Sequence, residues 1–131
     1  MDNTKWMNKF ENFEKANAQL QKALLQKDFN DLEREGLIQR FEFTFELAWK
    51  TLQEYHACNG HEEVKGPRKV IKQAFADNLI TDGQGWINMM ESRHESVHTY
   101  NEPSIIKIFD DIKNIYGKLL NDLAVELKKQ G

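Results

Sequence analysis

Residues 37–58 read LIQRFEFTFELAWKTLQEYHAC. Within them Phe41, Phe45, Ala48, Leu52 and Tyr55 recur at alternating steps of four and three. That spacing lays one apolar stripe along a helix and would scatter over both faces of a strand. Asn59-Gly60 follows as a helix stop signal. Beside the stripe runs a second line on the same helix, Glu42, Glu46, Trp49 and Gln53. Two carboxylates one turn apart repel mildly. They are either a solvated face or a holder for an Arg or Lys from a neighbouring helix or chain.

The same periodicity extends outward in both directions. Over residues 3–26, Trp6, Phe10, Phe13, Asn17, Leu20 and Leu24 form a helical stripe, with Asn17 as a surface-reaching or register-setting exception. Residues 28–35 are polar and aperiodic and read as a connection. Gly66-Pro67 opens a third helix, since Pro is tolerated where no N–H is needed. Val70, Ile71, Ala74, Phe75 and Leu79 give its buried side. Lys65, Arg68, Lys69 and Lys72 make its start the most basic stretch of the chain, a solvated face or a phosphate contact. A turn cluster at 81–85 precedes a fourth helix from about Trp86 to Val97 or His98. Glu102-Pro103 ends that helix, and Ser104 is the predicted N-cap of the last one. Ile108, Ile112, Ile115, Leu119, Leu123 and Leu127 mark the final stripe.

Four long helices, one shorter one and short polar connections predict an all-α, antiparallel, up-and-down four-helix bundle with a short extra helix. At 131 residues, 1–131 is expected to be a single domain. Only 18 residues are Val, Ile or Thr, and only 9 are Gly or Pro, which excludes sheet-rich and low-complexity classes. Apolar residues flanking the stripes (Leu37, Ile38, Phe43, Leu47, Ile105, Phe109, Tyr116, Leu120) exceed what one small bundle readily covers and point to a homodimer.

No apolar run exceeds three residues, so no membrane association is expected. The first residues lack a signal-peptide core, and Cys58 is the single cysteine, which makes the reduced cytoplasm the expected location. The net charge of −3 argues against broad, nonspecific nucleic-acid binding and leaves room for a local basic groove.

Chemistry-bearing side chains crowd residues 91–101, ESRHESVHTYN. His94-Glu95-Ser96-Val97-His98 matches the HExxH pattern of zinc hydrolases. Neither a sheet to bind a peptide nor a clear third ligand accompanies it, so no metal and no cofactor is assigned. A second pattern is Arg93-x4-His98-x-Tyr100. Arg carries a permanent charge and a donor fork that fits phosphate. His moves protons near neutrality, and Tyr offers a hydroxyl that can bind or accept a phosphoryl-type group. The set suits metal-free cleavage of an RNA phosphodiester, with His98 as general acid or base and Arg93 stabilising the transition state. Five positions rotate by about 140° on a helix, so either the helix frays before His98 or a second chain completes the site. The competing account is an Arg and a His that merely cap the end of the helix.

Residues 36–50, 66–75, Asp82-Gly83 with Trp86, and 93–101, in that order, closely resemble the nucleotidyltransferase substrate-binding family, a branch of the HEPN superfamily that includes HepT-type toxins. The resemblance implies a helical bundle that dimerises through its motif-bearing helices. It also implies a minimal nucleotidyltransferase of the MntA type as partner. In toxin–antitoxin members the helical protein is a metal-independent ribonuclease. Arg93 and His98 match the catalytic pair, and His94 takes the polar position after the Arg. Tyr100 matches the tyrosine to which the partner transfers AMP, and Asn101 and Glu102 continue the pattern. An alternative within the family is a non-enzymatic subunit that presents substrate to the transferase. A purely structural helical adaptor is the third account. Glu42, Glu46 and Arg68 stand behind the motif as residues expected to orient it or contact a partner.

Overall fold

The computed structural model describes residues 4–98 and 101–131. The chain forms α1 (Thr4–Leu24), α2 (Asp31–Cys58), α3 (Pro67–Ala76), α4 (Gly83–His98) and α5 (Glu102–Asp111). A π-helical segment (Ile112–Tyr116) then leads into α6 (Gly117–Gln130). No strand occurs among the described residues. The architecture is the expected all-helical bundle. α1 lies along α2, α6 closes against both, and α3 and α4 pack on the other flank of α2.

The predicted inner stripe of α2 holds, with Phe41, Phe45, Ala48 and Leu52 all at most 1% exposed. Phe41 stacks on Tyr116, Phe45 packs against Trp86, and Trp6 of α1 meets Tyr55 edge-on. Thr44 and Thr51, also buried, turn their hydroxyls back to the carbonyls of Arg40 and Leu47. Asn17 is buried rather than surface-reaching. Its amide donates to Asn121 across the α1–α6 contact, and its oxygen accepts from Gln21.

α2 begins at Asp31, inside the stretch read as a connection. Asn30 and Glu33 form a capping box, each side chain accepting from the other's backbone N–H at 2.8 and 3.0 Å. The pair satisfies two otherwise orphaned donors, so a polar segment with no apolar stripe still starts a helix. The cap of α5 also differs from expectation. Asn101, not Ser104, is the N-cap and accepts from the Ser104 N–H, with Pro103 tolerated in the first turn. Likewise α4 starts at Gly83, ahead of Trp86.

The last stripe departs furthest from simple periodicity. A π turn carries one extra residue, so Tyr116 and Leu120 face inward while Ile115 is 44% exposed. Gly117 sits at the exit of this turn. A Cβ there would stand 2.5 Å from a Leu24 methyl and 3.1 Å from the Ile112 carbonyl, so glycine is what lets α1 and the π segment close together. Phe75, expected inside, is 52% exposed. Most of the flanking apolar residues are core. Leu37, Ile38, Phe109, Tyr116 and Leu120 are all buried, and of the set Phe43 alone is strongly exposed. The surplus apolar surface inferred from the sequence is therefore largely absorbed within one chain.

Candidate functional site

The two carboxylates of the polar line on α2 face α4 and find separate partners there. Glu46 accepts from Arg93, with Nη2 to Oε1 at 2.9 Å, and its other oxygen lies 3.6 Å from Lys50 Nζ. Glu42 instead accepts from the Ser96 hydroxyl, one turn further along α4. Ser96 also lies 2.9 Å from the Arg93 carbonyl. Gln53 accepts from the Gly66 N–H at 2.8 Å, tying α2 to the start of α3. Glu46 is thus a holder for an Arg from a neighbouring helix, and Glu42 is not.

Arg93 lies in an open cleft of about 500 Å³ between α2, the start of α3 and α4. Phe45, Glu46, Pro67, Arg68, Met90, Glu91, Arg93 and His94 line it. The structure brings Arg93, His94, Glu46 and Arg68 together there, although three separate helices carry them. Two guanidiniums and an imidazole beside two carboxylates can orient a phosphate or a carboxylate, because the guanidinium fork matches paired oxygens. The Arg93 Nε–H is buried without a partner, so the Glu46 contact leaves part of the fork unused.

His98 stands at the end of α4, outside the lining of this cleft. Its ring centroid is 4.6 Å from that of His94, with the planes tilted by 55°. Within one chain Arg93 therefore faces α2 while His98 faces outward, as the helical rotation requires. Tyr100 lies outside the described residues. Asn101 serves as the α5 cap. Glu42 and Ser96 belong to a neighbouring cleft of about 340 Å³ that Arg34, Glu35, Ile38, Glu102 and Ile105 also line.

Two contributors carry little signal in the sequence. Ser92, next to Arg93, shares a 2.7 Å hydrogen bond with the Tyr116 hydroxyl and so fixes α4 against the π segment. Burial pushes the Tyr116 phenol up despite that bond, which keeps it protonated at neutral pH. Only knowledge of the π turn would turn Tyr116 toward α4. Ser96 is readable as a polar residue one turn past Ser92. Among the described residues no group of three His, Cys, Asp or Glu comes close enough to hold a metal ion, and no helix is long and apolar enough to cross a membrane.

Comparisons with known proteins bear on the same chain. A family model described as "nucleotidyltransferase substrate binding protein like" matches residues 8–129. A Haemophilus influenzae protein named "probable ribonuclease HepT" is 27% identical over 81 residues, covering 59% of this chain. The chain spans 56% of the length of that curated relative. A Thermus thermophilus crystal structure is similar at a TM-score of 0.78 and 35% identity, covering 88% of this chain and 98% of the other. A Haemophilus influenzae structure, described as revealing the fold of a substrate-binding domain of a nucleotidyltransferase, superposes at a TM-score of 0.65. It is 21% identical, covers 97% and 99% of the two chains, and supports the fold alone. With the family model spanning nearly the whole chain, the protein belongs to the nucleotidyltransferase substrate binding protein like family.

Proposed function

We propose that this chain is the helical partner subunit of a minimal nucleotidyltransferase and that it cleaves RNA without a metal, as a HepT-like toxin. The observation that carries this reading is the cleft in which Glu46 holds Arg93 beside Arg68 and His94. Arg93, with Arg68 near it, stabilises the negative charge that builds on the non-bridging phosphate oxygens in the transition state. His98 moves the proton, taking it from the 2′-hydroxyl as that oxygen attacks or giving it to the departing 5′-oxygen. Because Arg93 and His98 face different ways on one helix, a homodimer is the assembly that brings one chain's imidazole to the other's guanidinium. Tyr100 is the acceptor by which the partner silences the site. Its phenol oxygen bonds to the α-phosphorus of ATP, its proton goes to solvent, and pyrophosphate leaves.

A second reading, a non-catalytic subunit that presents substrate to the transferase, draws support from the Glu46–Arg93 pair. A guanidinium already half-neutralised binds a planar ligand more readily than it stabilises a dianionic transition state. Replacing Arg93 or His98 by Ala separates the two. Cleavage of RNA by the purified dimer should fall about 10²–10³-fold, as for loss of one charge-stabilising donor. Unchanged cleavage removes the ribonuclease reading. Incubation with the partner transferase and ATP should add one adenylyl mass at Tyr100 and none in Tyr100→Phe. If these substitutions alter stability and nothing else, the chain is a structural adaptor.

A further inference from the structure

We propose that His94 and His98 form a two-imidazole chelate for a divalent transition-metal ion on the exposed flank of α4. The pair sits at i and i+4, on neighbouring turns of one helix face. Both side chains are exposed, and among the described residues neither has a hydrogen-bond partner or an ion pair. Neither ring's nitrogens are engaged by another protein group among the described residues.

The ring geometry fits a shared ion. With metal–nitrogen bonds of about 2.0–2.1 Å, two imidazoles on one ion at angles of roughly 90–110° have centroids about 4.5–5.2 Å apart. The observed centroid separation is 4.6 Å, with the ring planes tilted by 55°, which falls within that range. The site lies in the last turns of α4, where the partial negative charge of the helix end favours a cation. Glu91 and Glu95 add negative charge on the same helix, set against the Arg93 and Arg68 guanidiniums in the cleft that His94 borders. No third His, Cys, Asp or Glu closes on the pair among the described residues, so the other coordination positions go to water or to a phosphate oxygen of a ligand in the adjoining cleft. This separates the chelate from a zinc hydrolase centre, which needs three protein ligands.

A metal held there ties up the imidazole lone pairs. Resting on the ribonuclease reading, the consequence is inhibition, because His98 cannot transfer a proton while it is coordinated.

The test is calorimetric titration of the chelator-stripped full chain with Cu²⁺, Ni²⁺, Zn²⁺ and Mg²⁺. One ion per chain should bind, Cu²⁺ most tightly and Mg²⁺ not at all, following imidazole preference and the divalent-metal affinity order. His94→Gln and His98→Gln should each weaken binding at least about tenfold, since either one converts a chelate into a single ligand. His61→Gln, on the loop after α2, should leave it unchanged. Absence of saturable Cu²⁺ and Zn²⁺ binding, or equal affinity in the double variant, overturns the proposal. Should a variant lose helical circular dichroism, imidazole NMR of the wild-type chain decides. Resonances of His94 and His98 must shift together on Zn²⁺ addition, and a response confined to His56 or His61 overturns it. RNA cleavage should stop with Zn²⁺ and return with chelator. A chain that never cleaves RNA removes the ribonuclease reading while the titration still decides the chelate.

Discussion

Two stripes run the length of α2, one helical position apart. Along the inner one Phe41, Phe45, Ala48 and Leu52 are enclosed by the aromatic and aliphatic core. Along the other Glu42, Glu46 and Gln53 reach Ser96, Arg93 and the Gly66 N–H. The first stripe is held by burial, which is non-directional and scales with area. The second is held by directional bonds that fix where α3 and α4 sit. On one helix, what keeps the bundle folded and what arranges the cleft thus lie on adjacent stripes, with Phe45 of the inner stripe also bordering the cleft, and substitutions on the two stripes should fail in different ways.

The largest effect belongs to the inner stripe. Phe45→Ala removes a ring that is 1% exposed and packs on Phe41 and Trp86. It should destabilise the chain by about 3–5 kcal/mol in urea or guanidinium unfolding. A loss under about 1 kcal/mol would show that the site can collapse around the cavity and that the stripe is less essential than its burial implies.

Next comes the polar stripe. Glu46→Gln keeps shape and loses charge. Because the Arg93 pair is about a quarter to a third exposed on each side, stability should change by at most about 1 kcal/mol. On the proposed ribonuclease function, single-turnover RNA cleavage should fall roughly 10- to 100-fold, since a guanidinium misplaced by an ångström forfeits that much. The opposite pattern, intact cleavage with lost stability, would place Glu46 among the structural residues and dissolve the contrast between the stripes.

The same contrast explains what can be read from the sequence. The inner stripes of α1 and α2 are legible because burial repeats with the helical period. The start of α2 is not, because Asn30 and Glu33 act through two hydrogen bonds and leave no stripe. In the last helix the π turn breaks the period itself, so Ile115 and Tyr116 exchange faces. For the cleft, the motif points to Arg93, and the carboxylate line offers Glu42 and Glu46 together as a solvated face or as holders of an Arg or Lys. Which carboxylate meets Arg93, and that Arg68 arrives beside it, depends on how α3 and α4 cross α2, and no local pattern encodes that. That His98 does not share a face with Arg93 is legible from rotation once the helix is intact, and α4 runs unbroken to His98.

His56, near the end of α2, tests the inner region through pH. Its side chain is fully buried and Nε2 donates to the Val70 carbonyl at 3.0 Å, while Nδ1 has no partner. Burial pushes the imidazole below its usual value, outweighing that bond and the nearby Asp77 carboxylate. The folded state therefore binds this proton less readily than the unfolded chain does. Stability on this account is full above the unfolded value of about 6.5 and declines as pH falls through it toward the lowered folded value, by at most about 1.4 kcal/mol per pH unit. Unfolding midpoints at pH 8 and pH 5.5 should differ in that direction, and His56→Gln should flatten the slope. A slope unchanged by the substitution would assign the pH response to surface carboxylates instead.

The smallest effect is expected at the junction of the two regions. Gln53 lies on the polar stripe, yet its bond to the Gly66 N–H serves the backbone of α3. Gly66 holds φ at +86° and caps α3 immediately before Pro67 and Arg68, so the loop can reach this geometry cheaply only with glycine. Gln53→Ala leaves a partly buried N–H without its acceptor and should cost about 0.5–1.5 kcal/mol. Because Arg68 sits two residues beyond that anchor, the proposed ribonuclease function predicts that RNA binding measured at low salt weakens several-fold while the cleavage rate at saturating RNA stays the same, a split that loss of packing alone does not produce. If binding and rate fall together, α3 shapes the reacting geometry as well as the approach to it, and the polar stripe carries the whole cleft rather than its Arg93 side.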